Sequence, residues 1–483
     1  MKSIWSLDSQ LPRFNSLKSD IETDVCVIGA GITGILTAYL LTKQGVDCIL
    51  IESNTIASGV TPYTSAKVTC QHGLIYYKII NQFGIDKAVQ YAKANSDALN
   101  MYRTIIKDNQ INCNFKTTPT YLYTTEDNDD LNLEFSAMES LGLRGSLTTH
   151  TTLPFEVKLA LKMDEQAQFN PLAFLSSIAL NLSIYENTKA LEVKDHTVLT
   201  TGGKITADNI IITTHFPFIN APGYYFARMH QERSYDTALK NAGTLDGAYL
   251  GIDDISYSFR TYKDMIVFGG CGHRTGENEK GGNYTKLSSK ALEFYPKSQQ
   301  ICSWATQDCM THDGIPYIGE YSTSTDHLYV ATGFNKWGMT SSMASAMILT
   351  DMILGKVNDC QEVFSPQRSN LMASAKKFTI DGAETVSGLI KQNLYIPSAE
   401  LEDVEVGHGG IIDYKGEKIG VYKKTSDDIY IVSTKCPHLG CQLAWNPDDF
   451  SWDCPCHGSR FDYEGSILNN PSQKGLDHEK PSY

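Results

Sequence analysis

The first apolar run is short and unbroken: Val25–Ile28 reads VCVI, and the glycines that follow end it in a turn. From Ile32 to Lys43 the apolar positions recur at helical spacing, and Gly45 stops the run. Cys48–Ile51 (CILI) is then a second fully buried strand, ending in Glu52. Further on, the stretch 191–215 predicts a three-stranded meander with a turn at Gly202-Gly203 and a buried strand over Asn209–Thr214. Between 225 and 335 the period falls to two, as in YSFRTY (257–262) and DMIVFGG (264–270), which predicts a second, antiparallel layer. HLYVATGF (327–334) is another buried strand, and Gly338–Leu354 predicts a helix rich in small residues. The stretch 361–396 is more polar, with Pro366 and Pro397 at its ends, and predicts a connecting helix and linker. A compact β-rich tail begins near residue 400.

This pattern divides the chain into a large unit at 1–365, a connection at 366–399 and a tail at 400–483. Within the large unit, nucleotide-binding parts are expected at about 20–75, 155–220 and 310–360, and substrate or cap parts at about 76–154 and 221–309. At 483 residues the length allows about three domains. The predicted fold class is an α/β Rossmann-like domain with an inserted antiparallel-sheet substrate domain, followed by a small all-β domain.

The turn after the first strand carries the first chemistry. Gly29, Gly31 and Gly34 make G-x-G-x-x-G between a strand and a helix. Gly29 makes the tight turn, Gly31 lets backbone approach a pyrophosphate, and Gly34 lets the helix lie close on the strand. The helix N-terminus offers N–H groups and a positive dipole end to phosphates, and Glu52 is placed to bind a ribose. The motif is weak alone and strong in this context. It does not distinguish NAD from FAD. GGCGHRTG (269–276) has the wrong spacing for a second such site.

Composition adds limits. A formal charge of −14 argues against nucleic acid and anionic membranes as partners and suits a basic protein partner. The N-terminus MKSIWSLDSQLPRF has no apolar core of signal-peptide length, and Val25–Leu41 is interrupted by glycines, so no membrane span is expected. The expected location is the cytoplasm. Of twelve cysteines, eight are scattered (Cys26, Cys48, Cys70, Cys113, Cys271, Cys302, Cys309 and Cys360), as buried free thiols are. The other four cluster in the tail.

That cluster is CPHLGCQLAWNPDDFSWDCPCHGS, from Cys436 to Ser459. A zinc site would use paired C-x₂-C knuckles, which are absent here. Instead Cys436 and His438 form C-x-H, and Cys454 and His457 form C-x-x-H. One thiolate and one imidazole per loop suit a [2Fe–2S] cluster with two cysteines on one iron and two histidines on the other. A single dinucleotide site joined to such a centre needs a cofactor that takes a hydride and releases single electrons. Flavin does this and nicotinamide does not, so FAD is the expected dinucleotide.

Two resemblances follow from these residues. CPHLGC and CPCHGS resemble the Rieske proteins of cytochrome bc complexes in wording and spacing. That resemblance implies a disulfide between Cys441 and Cys456, where free thiols would suit a reducing compartment. It also implies a sulfide-directed hydrogen bond from Ser459, while the position of a second donor, a tyrosine, holds Phe461. A lost donor lowers the cluster's potential.

Residues 20–360 resemble the D-amino-acid-oxidase-like FAD-dependent oxidoreductases, through DVCVIGAGITG, ESNTIASGVTPYTSAKVTCQHG (52–73), IIITTHFPF (210–218), DGIPYIGEY (313–321) and ATGFNKWGMTSSMASA (331–346). The resemblance implies that Gly29, Gly31, Gly34, Glu52 and Ser53 hold the ADP part of FAD. It puts Ser58, Gly59, Ser65, Ala66, Lys67, Gln71 and His72 along the isoalloxazine, and Gly333, Trp337, Gly338, Met339 and Thr340 against its pyrimidine edge, where a helix dipole stabilises the anionic reduced ring. Ala190 and Thr214 are further expected cofactor contacts. His72 or Cys70 is a candidate for a covalent flavin link, or else a satisfied polar residue. The substrate-carboxylate arginine is not fixed by motif: Arg228, Arg233, Arg260 and Arg274 are candidates. His273 and Arg274 are candidate positive neighbours of the flavin; with Arg260 they are the candidate catalytic residues.

The combination implies a flavin-dependent dehydrogenase that takes a hydride from a small amine or amino acid and passes electrons singly through the cluster to an external acceptor protein. One alternative reverses the flow, as a reductase component fed by an external donor; another is a redox sensor without turnover. A Rieske oxygenase needs a mononuclear iron held by two histidines and a carboxylate. With no two of the twelve histidines near enough to share a helix turn, that class is excluded.

Overall fold

The computed structural model describes residues 2–368, 401–414 and 416–479. The predicted connection at 366–399 lies almost wholly outside the described residues.

The first sheet is the one the apolar runs predict. Ile21–Ile28 pairs in parallel with Cys48–Ile51 on one side and Lys204–Ile212 on the other. Val25–Ile28 and Cys48–Ile51 are buried at every position, because Val25, Val27 and Leu50 pack under helices while Cys26, Ile28, Ile49 and Ile51 pack against Ala190, Val198, Phe216 and Tyr225 on the other face. Ile32–Lys43 and Gly338–Ile353 pack together on one face, where Thr33 and Ser342 share a 2.9 Å hydroxyl hydrogen bond. The serines and alanines of the second helix permit this close approach. Leu328–Thr332 and Tyr317–Glu320 extend the sheet at one edge, Ser183–Tyr185 at the other. The expected meander is present as Ala190–Lys194, Thr197–Thr200 and Lys204–Ile212.

The second sheet has nine strands and is antiparallel apart from the pairing of Ala248–Gly251 with Lys116–Thr124. Its long strands Met229–Lys240, Met265–Arg274 and Gln299–Thr311 lie side by side. Leu159–Gln168 also belongs here, paired with Lys116–Thr124. Sequence placed residues 155–168 with the nucleotide part; the strand's partner lies outside any local pattern.

The tail forms two four-stranded antiparallel sheets. One runs through Gly409–Tyr414, Glu417–Lys423 and Ile429–Ser433. The other, Ala444–Asn446, Ser451–Asp453, Arg460–Asp462 and Ile467–Asn469, carries the cysteine loops at its ends. Trp445, Trp452 and Phe461 fill the core beside Cys436 and Cys454. Among the described residues no helix is long and apolar enough to cross a membrane.

Candidate functional site

A cavity of about 960 Å³ runs from the glycine turn to the underside of the second sheet. At its nucleotide end Gly29 has φ +105°, and a Cβ on Gly34 would lie 1.9 Å from the Gly29 carbonyl oxygen. Only glycine permits that contact. The helix Ile32–Lys43 starts at Gly31 with no cap from that residue; the Ile32 N–H donates to Thr61 Oγ1 at 3.1 Å, and the rest of the first turn's N–H groups face the cavity. Glu52 is held by N–H groups of Ala30 and Asn54, each at 2.9 Å, and lines the same wall. This is a cradle for a dinucleotide, and it fits FAD.

Ser53, Ser58, Gly59, Ser65, Lys67, Ala190, Thr214, Trp337, Gly338 and Met339 also line the cavity, and so do His273 and Arg274. Others stand behind the wall. Gly34 packs the helix on its strand. Ala66 gives its carbonyl to Arg260 at 2.6 Å. Gln71 is spent on the Leu161 carbonyl and the Thr120 hydroxyl. His72 has both ring nitrogens occupied, by Tyr91 on one side and by Thr69 and Thr340 on the other, and its ring stacks on Trp337. Burial pushes its pKa down to about 3. His72 and Cys70 thus belong to the support beneath the cavity and not to its lining; His72 is the satisfied polar residue that was the alternative to a flavin link, and it does not stand where a flavin contact was expected. Thr340 donates to the Thr69 carbonyl, and Gly333, at φ +73°, packs against Thr311. Arg260 is buried under Trp5, 4.9 Å from its ring, outside the cavity.

The other arginines are also committed. Arg228 lies over Tyr317 and donates to the Pro366 carbonyl, and Arg233 is ion-paired with Asp449 of the tail. Arg274 lines the cavity near His457, whose pKa its charge helps to lower. His273 donates from Nδ1 to the Arg274 carbonyl at 2.8 Å and meets the Tyr235 hydroxyl at 3.0 Å through Nε2. Both its nitrogens are occupied within the protein.

The cavity roof holds charges that sequence reading did not single out. Glu232, Ser234 and Asp236 alternate on the central strand, and Thr306 and Asp308 face the same way on its neighbour. Glu232 is paired with Lys336 at 2.6 Å and held by His230, which bring its pKa down to about 2. Burial raises Asp236, with Lys67 as its opposing cation. Burial pushes Asp308 up to about 6. The period-two spacing of Glu232, Ser234 and Asp236 was the available signal.

In the tail, the imidazoles of His438 and His457 stand 5.0 Å apart, edge to face. The Nδ1 atoms of both are buried and have no hydrogen-bond partner among the described residues. Burial lowers their pKa values to about 4 and about 3, so both rings are neutral at neutral pH. Cys436 and Cys454 thiols meet in a side-chain hydrogen bond between the same loops, and Ser459 reaches Cys436. Two buried imidazole nitrogens without a protein partner and two thiols fit the donor set of a mixed-ligand [2Fe–2S] cluster. Cys441, Cys454 and Cys456 sulfurs also lie within 4.8 Å of one another. Of these, Cys441 and Cys456 are paired with each other.

The cluster loops rest on the upper face of the roof sheet. Gln231 and Gln307, which point away from the cavity, donate to the carbonyls of His457 and Gly458, each at 2.7 Å. Phe226 meets both imidazoles edge-on, at 5.6 and 6.0 Å, and His438 Nε2 meets Asn220 Oδ1. The tail also completes the cavity wall with Ile467–Asn470, Ser472 and Gln473.

Residues 24–352 match the FAD dependent oxidoreductase family, and 395–479 match the Rieske [2Fe-2S] domain. The chain belongs to the FAD dependent oxidoreductase family. FAD and a [2Fe–2S] cluster are its cofactors, and it is an oxidoreductase. The flavoprotein is 37% identical, over 98% of its own length and 97% of the relative's, to the "Putative Rieske 2Fe-2S iron-sulfur protein YhfW" of Bacillus subtilis (strain 168). Its tail is 48% identical over 52 residues to the cytochrome b6-f complex iron-sulfur subunit 2 of Trichormus variabilis, covering 29% of that protein. In fold it is similar to glycine oxidase from Geobacillus kaustophilus (TM-score 0.61, 16% identity, 72% of this chain and 99% of that one). It is equally similar to L-proline dehydrogenase from P. horikoshii (TM-score 0.61, 17% identity, 74% and 98%).

Proposed function

We propose that the protein is a dehydrogenase that oxidises a small amine or amino acid and sends the electrons through the Rieske cluster to an external acceptor protein. The observation that carries this reading is the position of the roof sheet: the cavity lies under one face and the cluster loops on the other. Glu232, Asp236 and Asp308 point down to the cavity, while Gln231, Arg233 and Gln307 point up to the tail. When bound, FAD supplies hydride acceptance and single-electron release, matching a one-electron cluster.

In this reading the glycine turn, with Glu52, holds the ADP part, and the N-terminus of Gly338–Ile353 faces the flavin's pyrimidine edge. Lys67 and the roof orient the substrate. Cys436, His438, Cys454 and His457 ligate the cluster, and a disulfide between Cys441 and Cys456 braces its loops. The eight cysteines outside the tail are free, which suits a reducing compartment such as the cytoplasm. The resemblance in fold to glycine oxidase and L-proline dehydrogenase supports the amine or amino-acid class.

The test is anaerobic photoreduction of the flavin with the cluster followed by EPR. Reduction of the cluster in step with the flavin is the expected result. A reduced flavin beside a cluster that stays oxidised, with reductant in excess, rules the reading out.

A further inference from the structure

The Rieske tail meets the cavity at its nucleotide end as well as at the roof. Thr214 stands against the glycine turn: a Cβ on Gly29 would lie 3.2 Å from Thr214 Cα. Lys189 stands beside the acid of the cradle, because the Thr188 N–H donates to the Glu52 carbonyl at 2.8 Å. One short stretch of the tail, residues 470–473, is tied to both places. Asn470 Nδ2 donates to the carbonyls of Thr214 at 2.9 Å and Phe216 at 2.6 Å. Lys189 Nζ donates to the Gln473 carbonyl at 2.7 Å. Asn470, Ser472 and Gln473 all line the cavity.

The same stretch is anchored from above. The Asn470 carbonyl accepts from Gln231 Nε2 of the roof strand at 3.1 Å. The Ser472 N–H donates to Ser459 Oγ at 3.0 Å, beside the cluster cysteines, and Ser472 is 2% exposed. The stretch is thus built into the Rieske fold. Its ties to Thr214, Phe216 and Lys189 form or break as the tail docks or lifts. The Gln473 carbonyl is neutral, so it fixes the Lys189 ammonium without cancelling its charge, at the end of the cavity that suits phosphates.

We propose that residues 470–473 of the tail complete the FAD site as a strap across its ADP end, so that FAD enters and leaves only when the tail lifts. This rests on the ADP part lying at the glycine turn and Glu52, which the FAD content of G34A tests separately. A strap of this kind slows entry and exit alike and leaves affinity nearly unchanged. Its strength is the stability of the docked tail, and exit follows the population of the lifted state. One docking contact then does two things. It sets the cluster loops on the roof, and it closes the cofactor in.

The experiment dilutes the full-length holoprotein into flavin-free buffer and follows free FAD by its fluorescence, with the cluster checked by EPR. N470A removes two hydrogen bonds from the strap, which together weaken docking there by at least about tenfold. The variant is expected to release FAD at least about tenfold faster, with full FAD as purified and an unchanged cluster signal. The proposal is overturned if N470A, with its cluster intact, releases FAD as slowly as the parent. It is also overturned if N470A purifies with little FAD, which marks a weakened cradle instead of an opened strap. Should N470A lose its cluster, D449A decides, because it loosens the tail at Arg233, away from the strap. Release from D449A at least about tenfold faster upholds the strap, and release at the parent's rate overturns it.

Discussion

His438 Nε2 and Asn220 Oδ1 lie 2.8 Å apart, so the outer edge of one cluster-side imidazole is closed by the flavin half of the same chain. An amide oxygen only accepts, so Nε2 carries the hydrogen and Nδ1 is left for a metal. Replacing the neutral acceptor by a charged one disfavours the reduced, more negative cluster. N220D is expected to lower the cluster midpoint by about 60 mV, the equivalent of about 1.4 kcal/mol for one electron. An EPR-monitored redox titration measures this, and an unchanged midpoint would mean that the contact is not kept in solution.

Ser459 and Phe461 lie beside the cluster cysteines, where a hydrogen-bond donor would tune the potential. Ser459 Oγ accepts from the Ser472 N–H at 3.0 Å, which leaves its own hydrogen for the cluster side, and it reaches Cys436. S459A should lower the midpoint by about 60 mV, the worth of one hydrogen bond to a charged group. Phe461 is fully buried in the same core as Cys454. F461Y should raise the midpoint by a similar amount if its hydroxyl finds a sulfur. The same titration checks both, and a shift of equal sign in the two variants would contradict the argument.

The parts of this site that were legible in sequence are those where chemistry demands residue types at fixed, short spacing. Gly29, Gly31 and Gly34 are needed within one turn, and Cys436, His438, Cys454 and His457 within two loops. What was not legible depends on pairings distant in sequence. Asp308 joins Glu232 only through strand register, and Leu159–Gln168 was given to the wrong sheet for the same reason. Gln231 and Asn220 are ordinary polar residues until the tail docks on them. His72 sits in a motif that implies flavin contact, but its burial against Tyr91 and Trp337 makes it a structural residue.

Gly34 gives a sharp test of the nucleotide cradle. An added methyl group would come within 1.9 Å of the Gly29 carbonyl oxygen, backbone against backbone, so the helix must move off the strand. Overpacking of this kind costs about 1–3 kcal/mol and here also displaces the phosphate-facing N–H groups. G34A is expected to purify with less than about a tenth of the FAD of the parent. Its cluster EPR signal should be retained, since the tail does not touch Gly34. Full FAD occupancy in G34A would refute the cradle.

The junction between the two halves rests on a few buried charges. Asp449 binds Arg233 of the roof sheet and, at 2.8 Å, Arg460 of the tail, while Asp453 holds the other side of Arg460 at 2.8 Å. Removing the shared carboxylate leaves Arg233 buried and unpaired, which costs about 3–5 kcal/mol. Most of this cost falls on docking, because Gln231 and Gln307 lie on the same face and need the tail in register to reach His457 and Gly458. The cysteine loops themselves do not depend on Asp449. D449A should therefore keep both the FAD spectrum and the Rieske EPR signal, yet pass electrons from photoreduced flavin to the cluster at least about tenfold more slowly. Flash photoreduction followed at a cluster absorption band reads that rate. An unchanged rate would place the electron route somewhere other than through the docked roof sheet.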